Sequence, residues 1–301
     1  MRSDVLRALP LMLLAMALIP AGDTAGKLMG MAGVAPVFTA WSRFALGAAL
    51  LLPFVLHLTP PRLFLDWRVW LRGLLVAGGI VSILTALRTE PIATVFGAFF
   101  VGPLVAWGLS VWLLHEAFSR VRAGLMVLGF AGVLMVVKPG FGMTPGLGFA
   151  VLAGVFYGGF LTASRWLSDL ARPRAMLISQ LVIGAVVLAP FGLTAMPEMT
   201  PRIAGLTLAS ALGSMLGNLC LILALRLAPA SRMAPFVYTQ LVAATGLGWL
   251  VFGTLPDALA LLGLAILLVS GLASLGIRDA EPPTTLPAPG SRSTTRRPSA
   301  R

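Results

Sequence analysis

The chain has 301 residues, of which 58% are hydrophobic and only 11% charged, with a mean hydropathy of +0.95. A water-soluble domain carries roughly a quarter charged residues, so this composition excludes a soluble enzyme or binding module and places the chain in a bilayer. The net charge of +12 sits in short segments between apolar runs, which suits helix orientation and not a phosphate-tracking face, so no nucleic acid partner is expected.

Ten apolar runs are each long enough to cross about 30 Å of hydrocarbon as helix. They lie near 7–27, 35–57, 70–88, 91–114, 121–138, 145–166, 175–195, 203–225, 231–252 and 257–277. The first run, preceded by Arg2 and Arg7, could be read as a signal peptide. It lacks a clean small-x-small cleavage triplet and has a repeat partner at 145–166, so it is taken as the first span. The single Cys220 lies inside an apolar run, so no intrachain disulfide is expected. The last segment, 278–301, is rich in Pro, Ser, Thr and Arg and has nothing to bury, so a disordered cytoplasmic tail is predicted.

Loop charge sets the orientation. With the N-terminus inside, the cytoplasmic segments hold 17 arginines, among them Arg62, Arg68, Arg72, Arg165 and Arg172. The opposite side holds four cations, Lys27, Arg88, Lys138 and Arg202. Both termini are therefore predicted to be cytoplasmic, in a cell inner membrane. Trp67, Trp70 and Trp166 fall at the predicted inner boundary, where amphipathic rings belong.

The chain repeats itself. Ala86-Leu87-Arg88 recurs at Ala224-Leu225-Arg226, and Pro91 at Pro229, each 138 residues on. Gly79 answers Gly217; Gly47, Pro53 and Phe54 answer Gly184, Pro190 and Phe191; Thr24, Ala25 and Lys27 answer Thr162, Ala163 and Arg165. Gly124 and Gly132 answer Gly263 and Gly271, one residue later. A steady offset of 137–139 residues means one unit was duplicated, giving halves at 1–138 and 139–277. Five spans per unit is an odd number, so the second unit enters the membrane from the opposite side. The predicted fold is thus all-α, with ten transmembrane helices in a 5+5 inverted-topology repeat. Such repeats build secondary transporters, with a site near the midplane between two like halves.

The residues also resemble a known family. The fourth run ends in Leu114-His115-Glu116, with Gly124 and Gly132 after it. The ninth run holds Ala234-Pro235-Phe236-Val237-Tyr238-Thr239, followed by Phe252-Gly253-Thr254-Leu255-Pro256-Asp257. With the 5+5 layout, these look like the drug/metabolite transporter superfamily, EamA type, over about residues 7–277. Thr254 stands where the family usually has Glu, so Glu116 has no second-half twin and is read as a helix-end residue. The resemblance implies movement of a small metabolite such as an amino acid, amine, nucleoside or vitamin-like compound, with export as the expected direction.

Enzyme chemistry finds little support. Only His57 and His115 exist, so no HExxH zinc site can be built, and no cofactor or metal is expected. Gly213-Ser214-Met215-Leu216-Gly217 has its serine one place early for a nucleophile elbow. Gly22 to Lys27 lacks the glycine and hydroxyl residue of a phosphate loop. No TVGYG filter or ring of like charges marks a channel. A lipid-flipping protein or membrane-embedded enzyme is the alternative, and it would need a side-opening polar groove.

The few polar residues within the spans are costly there unless partnered or functional. Asp23, about 6 Å below the outer end of its helix, could pair with Lys27 one turn on or with Arg43, about 12 Å below the end of the next. The repeat twin of Arg43 is Gln180, which implies that the position wants a donor in both halves. Asn218, the only asparagine, and the only tyrosines, Tyr157 and Tyr238, lie away from the interfacial belts. With Trp107 opposite, Tyr157, Asn218 and Tyr238 are predicted to line one central cavity; of Tyr238 and Gln240, Tyr238 is favoured. Each has a plain packing role as the other reading. The glycine pairs Gly22/Gly26, Gly154/Gly158 and Gly213/Gly217 have GxxxG spacing, for close packing or a homodimer face. Pro20, Pro53, Pro103, Pro190 and Pro235 are expected to kink helices or be tolerated by their neighbours.

Overall fold

The computed structural model describes residues 2–55, 60–115, 120–140, 142–227 and 233–273. Among these every regular element is helical. The first half holds α1 (Arg2–Met31), α2 (Pro36–Val55), α3 (Trp67–Leu87), α4 (Ile92–Phe99), α5 (Val101–Leu113) and α6 (Arg120–Val137). The second holds α7 (Pro145–Trp166), α8 (Pro173–Thr194), α9 (Pro201–Leu227), α10 (Thr239–Phe252) and α11 (Ala258–Ala273), with a 3-10 turn at Ala234–Tyr238 before α10.

Seven segments reach full spanning length with strongly apolar windows, and three shorter apolar helices, Ala123–Val137, Phe236–Phe252 and Ala258–Ala273, complete ten. The fourth span, Ile92–Leu113, comprises α4 and α5. Local chemistry fixes several ends. Asp66 caps α3 by accepting from the Arg68 amide, and Thr144 caps α7 by accepting from Leu147, with Pro145 following it. Gly253, at φ +65°, closes α10 in the left-handed region open to glycine. Residue 116 and the tail 278–301, singled out in the sequence, lie outside the described residues.

Prolines act unequally. α1, α2 and α8 run through Pro20, Pro53 and Pro190, and α1 also through Pro10. Pro103 lacks the N–H that would bond the Phe99 carbonyl, and the fourth span breaks between α4 and α5 at Phe100. The ninth span changes from 3-10 to α geometry at Tyr238, 138 residues on.

The helix neighbours carry the duplication into three dimensions. α1 lies along α9 as α7 lies along α3; α5 packs on α7 as α10 packs on α1; α3 meets α8 as α9 meets α2. The pairs α2–α8 and α6–α11 exchange into themselves. Swapping each span for the one five places on therefore preserves the main contacts, as a pseudo-two-fold requires. The connectors are too short to recross a bilayer, so the two halves run in opposite directions. Twin residues Phe100 and Tyr238 touch, with ring centroids 5.0 Å apart. A residue can meet its own twin only beside the axis. The symmetry is weakest around α3 and α9: α1 and α2 both contact α3, whereas α7 and α8 make no comparable contact with α9.

Small residues set the closest crossings. A Cβ on Gly213 would lie 2.8 Å from the Gly22 backbone, and one on Gly158 would lie 2.6 Å from the Gly102 carbonyl. Gly154 abuts the Phe99 carbonyl, and Gly26 faces the Arg43 guanidinium. All three GxxxG pairs are thus occupied by contacts within the chain. The main core lies between α3, α4, α6, α10 and α11, around Leu87, Ile92, Phe96, Val136 and Leu241. Large apolar side chains such as Phe54, Trp112, Val127 and Leu250 are exposed, as a lipid-facing surface requires.

Gly213→Val should force α1 and α9 apart. It is expected to cost about 1–3 kcal/mol and to lower monodisperse yield in size-exclusion chromatography. Gly205→Val, where a Cβ meets nothing within 4 Å, should behave as wild type.

Candidate functional site

A cavity of about 510 Å³ lies between the halves, walled by α1, α2, α3, α4, α7, α8, α9 and the start of α10. Its polar lining includes Asp23, Arg43, Arg72, Gln180, Asn218 and Gln240; Phe99, Tyr157 and Phe160 supply an aromatic wall. One end is closed by Asp23 and Arg43. The other reaches Leu167, Ser168 and Ala171 in the loop after α7, where Ser168 is exposed. An even number of spans separates that loop from the N-terminus, so the cavity reaches toward the N-terminal side of the membrane.

The closed end is built from charge. Arg43 on α2 donates Nη1 to Asp23 Oδ1 at 2.5 Å, Nη2 to the Gly22 carbonyl at 2.9 Å, and Nε to Ser210 Oγ on α9 at 2.8 Å. Both charged side chains are about 5% exposed, so each neutralises the other where neither could be left alone. Lys27 does not join this pair. Its ammonium donates to the carbonyls of Leu87 at 2.8 Å and Glu90 at 2.6 Å and lies 5.4 Å over the Phe252 ring. Thr144, from the second half, donates to Glu90 Oε1 at 2.6 Å. At the same membrane face Lys138 bonds Asp257, tying the end of the first half to the loop before α11. The hydrogen bond from Lys138 holds the Asp257 carboxyl below the usual carboxylate range. The Arg43–Ser210, Thr144–Glu90 and Lys138–Asp257 bonds cross between the halves on the side opposite the opening.

The second cluster faces the open end. Arg72 on α3 is 7% exposed. It donates Nε to Ser164 Oγ at 2.7 Å, Nη1 to the Met176 carbonyl at 3.0 Å, and Nη2 to Gln180 Oε1 at 2.8 Å. The Phe160 ring lies beneath it, 4.6 Å from the guanidinium carbon. The repeat relates the two clusters: Arg43 twins with Gln180, and Ser210 with Arg72. An arginine thus bonds across α2–α9 in one cluster and across α3–α8 in its twin. The cation has changed helix.

Of the predicted cavity residues, the structure brings two together. Tyr157 lines the wall, 4.9 Å from the Phe99 ring centroid, and Asn218 lines it from α9, its side-chain amide donating to the Ser214 carbonyl at 2.8 Å. Tyr238 does not reach the cavity: its ring covers Gly271 and Phe100 on the axis. Gln240, two residues on, takes the cavity-facing position. The 3-10 turn before α10 rotates the ninth span away from the phase of a continuous α-helix. Trp107 is half-buried on α5 and is also off the lining, because the break at Phe100 re-aims the lower half of that span. Sequence reading missed Arg72, counted among the loop cations. The pointer was present, since its twin Ser210 falls well inside a span.

The EamA-like transporter family matches residues 6–138 and again 144–275. An S-adenosylmethionine uptake transporter of Rickettsia bellii is 29% identical over 248 residues, covering 77% of this chain and 81% of that protein. A pseudopaline exporter of Pseudomonas aeruginosa is 29% identical over 206 residues, covering 67% and 72%. A crystal structure of a protein 20% identical in sequence matches with a TM-score of 0.61 over 91% of this chain and 96% of its own. At that identity the likeness concerns the fold alone.

Breaking the Asp23–Arg43 pair on one side should be worse than removing it. Asp23→Asn leaves a buried guanidinium uncompensated, a cost of about 3–5 kcal/mol, and should lower the Tm measured by thermal unfolding in detergent. The double variant Asp23→Asn with Arg43→Met should recover part of that loss.

Proposed function

The chain belongs to the EamA-like transporter family, and on that premise we propose that it exports a small amphipathic metabolite from the cytoplasm by alternating access. That it is a multi-pass membrane transporter, and not an enzyme, follows from the family. The cargo and direction are our reading. Relatives named for S-adenosylmethionine and for pseudopaline support a small organic cargo, and their names give opposite directions. The observation that carries the reading is the cavity itself. Its volume of about 510 Å³ suits a metabolite of modest size, and it lies between the halves, as the rocking of inverted repeats requires.

In this proposal residues 1–138 and 139–277 move as the two halves. Both termini face the cytoplasm, following the bias of 17 cations against four. The opening beside Ser168 is then cytoplasmic, and the Asp23–Arg43 pair, the Lys27 bonds and the Lys138–Asp257 contact close the outer face. Loading from inside supports export. Tyr157 and Phe99 hold the apolar body of the cargo, while Asn218, Gln240 and Gln180 orient its polar groups.

Efflux and uptake of a labelled metabolite panel by the reconstituted full-length chain test this reading. At least one compound should cross the bilayer faster than in protein-free vesicles. For that compound Asn218→Leu should reduce the rate tenfold or more with insertion unchanged, and Tyr238→Phe should leave it near wild type. Flux of no compound by correctly inserted protein, or full flux by Asn218→Leu, would move the site elsewhere.

A further inference from the structure

Arg72 and its surroundings carry the reading further, to the chemistry of the cargo. At the closed end Asp23 and Arg43 of the first half meet Ser210 of the second, and the cluster is electrically neutral. The repeat offsets place Leu161, Gln180 and Arg72 at the corresponding positions of a twin cluster, Arg72 from the first half and the other two from the second. That cluster keeps the guanidinium and loses the carboxylate. Leu161 lines the cavity one helical turn from Ser164, which accepts from Arg72 Nε. Among the described residues Arg72 bonds only neutral groups, through three of its five N–H donors. A buried cation without a counter-charge is expensive at membrane depth, and the Phe160 face offsets only part of that cost.

We propose that the substrate supplies the missing acid: the cavity recognises a small organic carboxylate, whose carboxyl group engages Arg72 as Asp23 engages Arg43 in the twin cluster. This rests on the transport reading above and narrows its substrate class. The planar guanidinium fork matches a carboxylate, and Phe99, Tyr157 and Phe160 form the wall for an apolar body. Cationic amines and uncharged nucleosides supply no counter-charge to Arg72.

The test uses the full-length chain in detergent at constant chloride, with thermal unfolding as the readout. The probes are indole-3-acetate and N-acetyl-L-methionine, each against its primary amide, with inorganic phosphate as a further arm. Both carboxylates should raise the Tm of wild type by several degrees, and their amides and phosphate should not. Arg72→Gln should abolish the shift. Leu161→Asp, which installs the absent acid on the chain, should raise the Tm of the unliganded protein and make it unresponsive to either carboxylate. If Arg72→Gln does not fold, Leu161→Asp alone decides. Equal shifts by acid and amide, a shift by phosphate alone, no shift in wild type, or a retained shift in Leu161→Asp would overturn the proposal. The two readings fail separately. Transport of an uncharged compound that Arg72→Gln leaves intact sinks this inference and keeps the transporter; carboxylate binding without flux of any compound does the reverse.

Discussion

Hydrocarbon offers no partner to a polar group, and the architecture follows from that constraint. With 11% charged residues, the chain has few ions to place inside its spans, and those it has are satisfied by the packing of helices from different parts of the sequence. Arg43 binds α2 to α1 and α9; Arg72 binds α3 to α7 and α8. Each guanidinium thereby fixes the wall of the space between the halves. Glycine crossings serve the same end, since Gly22, Gly213, Gly102 and Gly158 let backbones approach closely enough for such short side-chain bonds to form.

The division of labour between the clusters arises from duplication followed by divergence at three positions. The first copy carries Asp23, Arg43 and Arg72 where the second carries Leu161, Gln180 and Ser210. The neutral cluster sits where the protein is closed and cross-tied, and the positive one sits where the cavity opens. A symmetric scaffold with asymmetric electrostatics can bind one cargo in one orientation, which a strictly symmetric pair of halves could not specify.

Much of this was legible in the sequence. Span positions and the inverted repeat emerge from hydropathy and from offsets such as Ala86-Leu87-Arg88 against Ala224-Leu225-Arg226, because both are carried by many residues at once. Side-chain direction is carried by few. Tyr238 and Gln240 are ordered the other way in the cavity lining, since a short 3-10 turn changes helical phase and Pro235 signals an interruption without fixing that phase. Trp107 was misplaced by the break at Phe100, which depends on how Pro103 is accommodated. Arg72 was hidden by its nearness to the end of a span: an arginine there can extend outward to water or inward to Ser164, and only packing decides.

The contact between Phe100 and Tyr238 has a mechanical consequence. When inverted repeats exchange conformations, every distance between one residue and another becomes the distance between their twins. For a residue and its own twin, that exchange returns the same distance. Under the alternating access proposed above, the Phe100–Tyr238 pair would be a fixed point of the rocking, with Gly271 packed beneath the tyrosine ring.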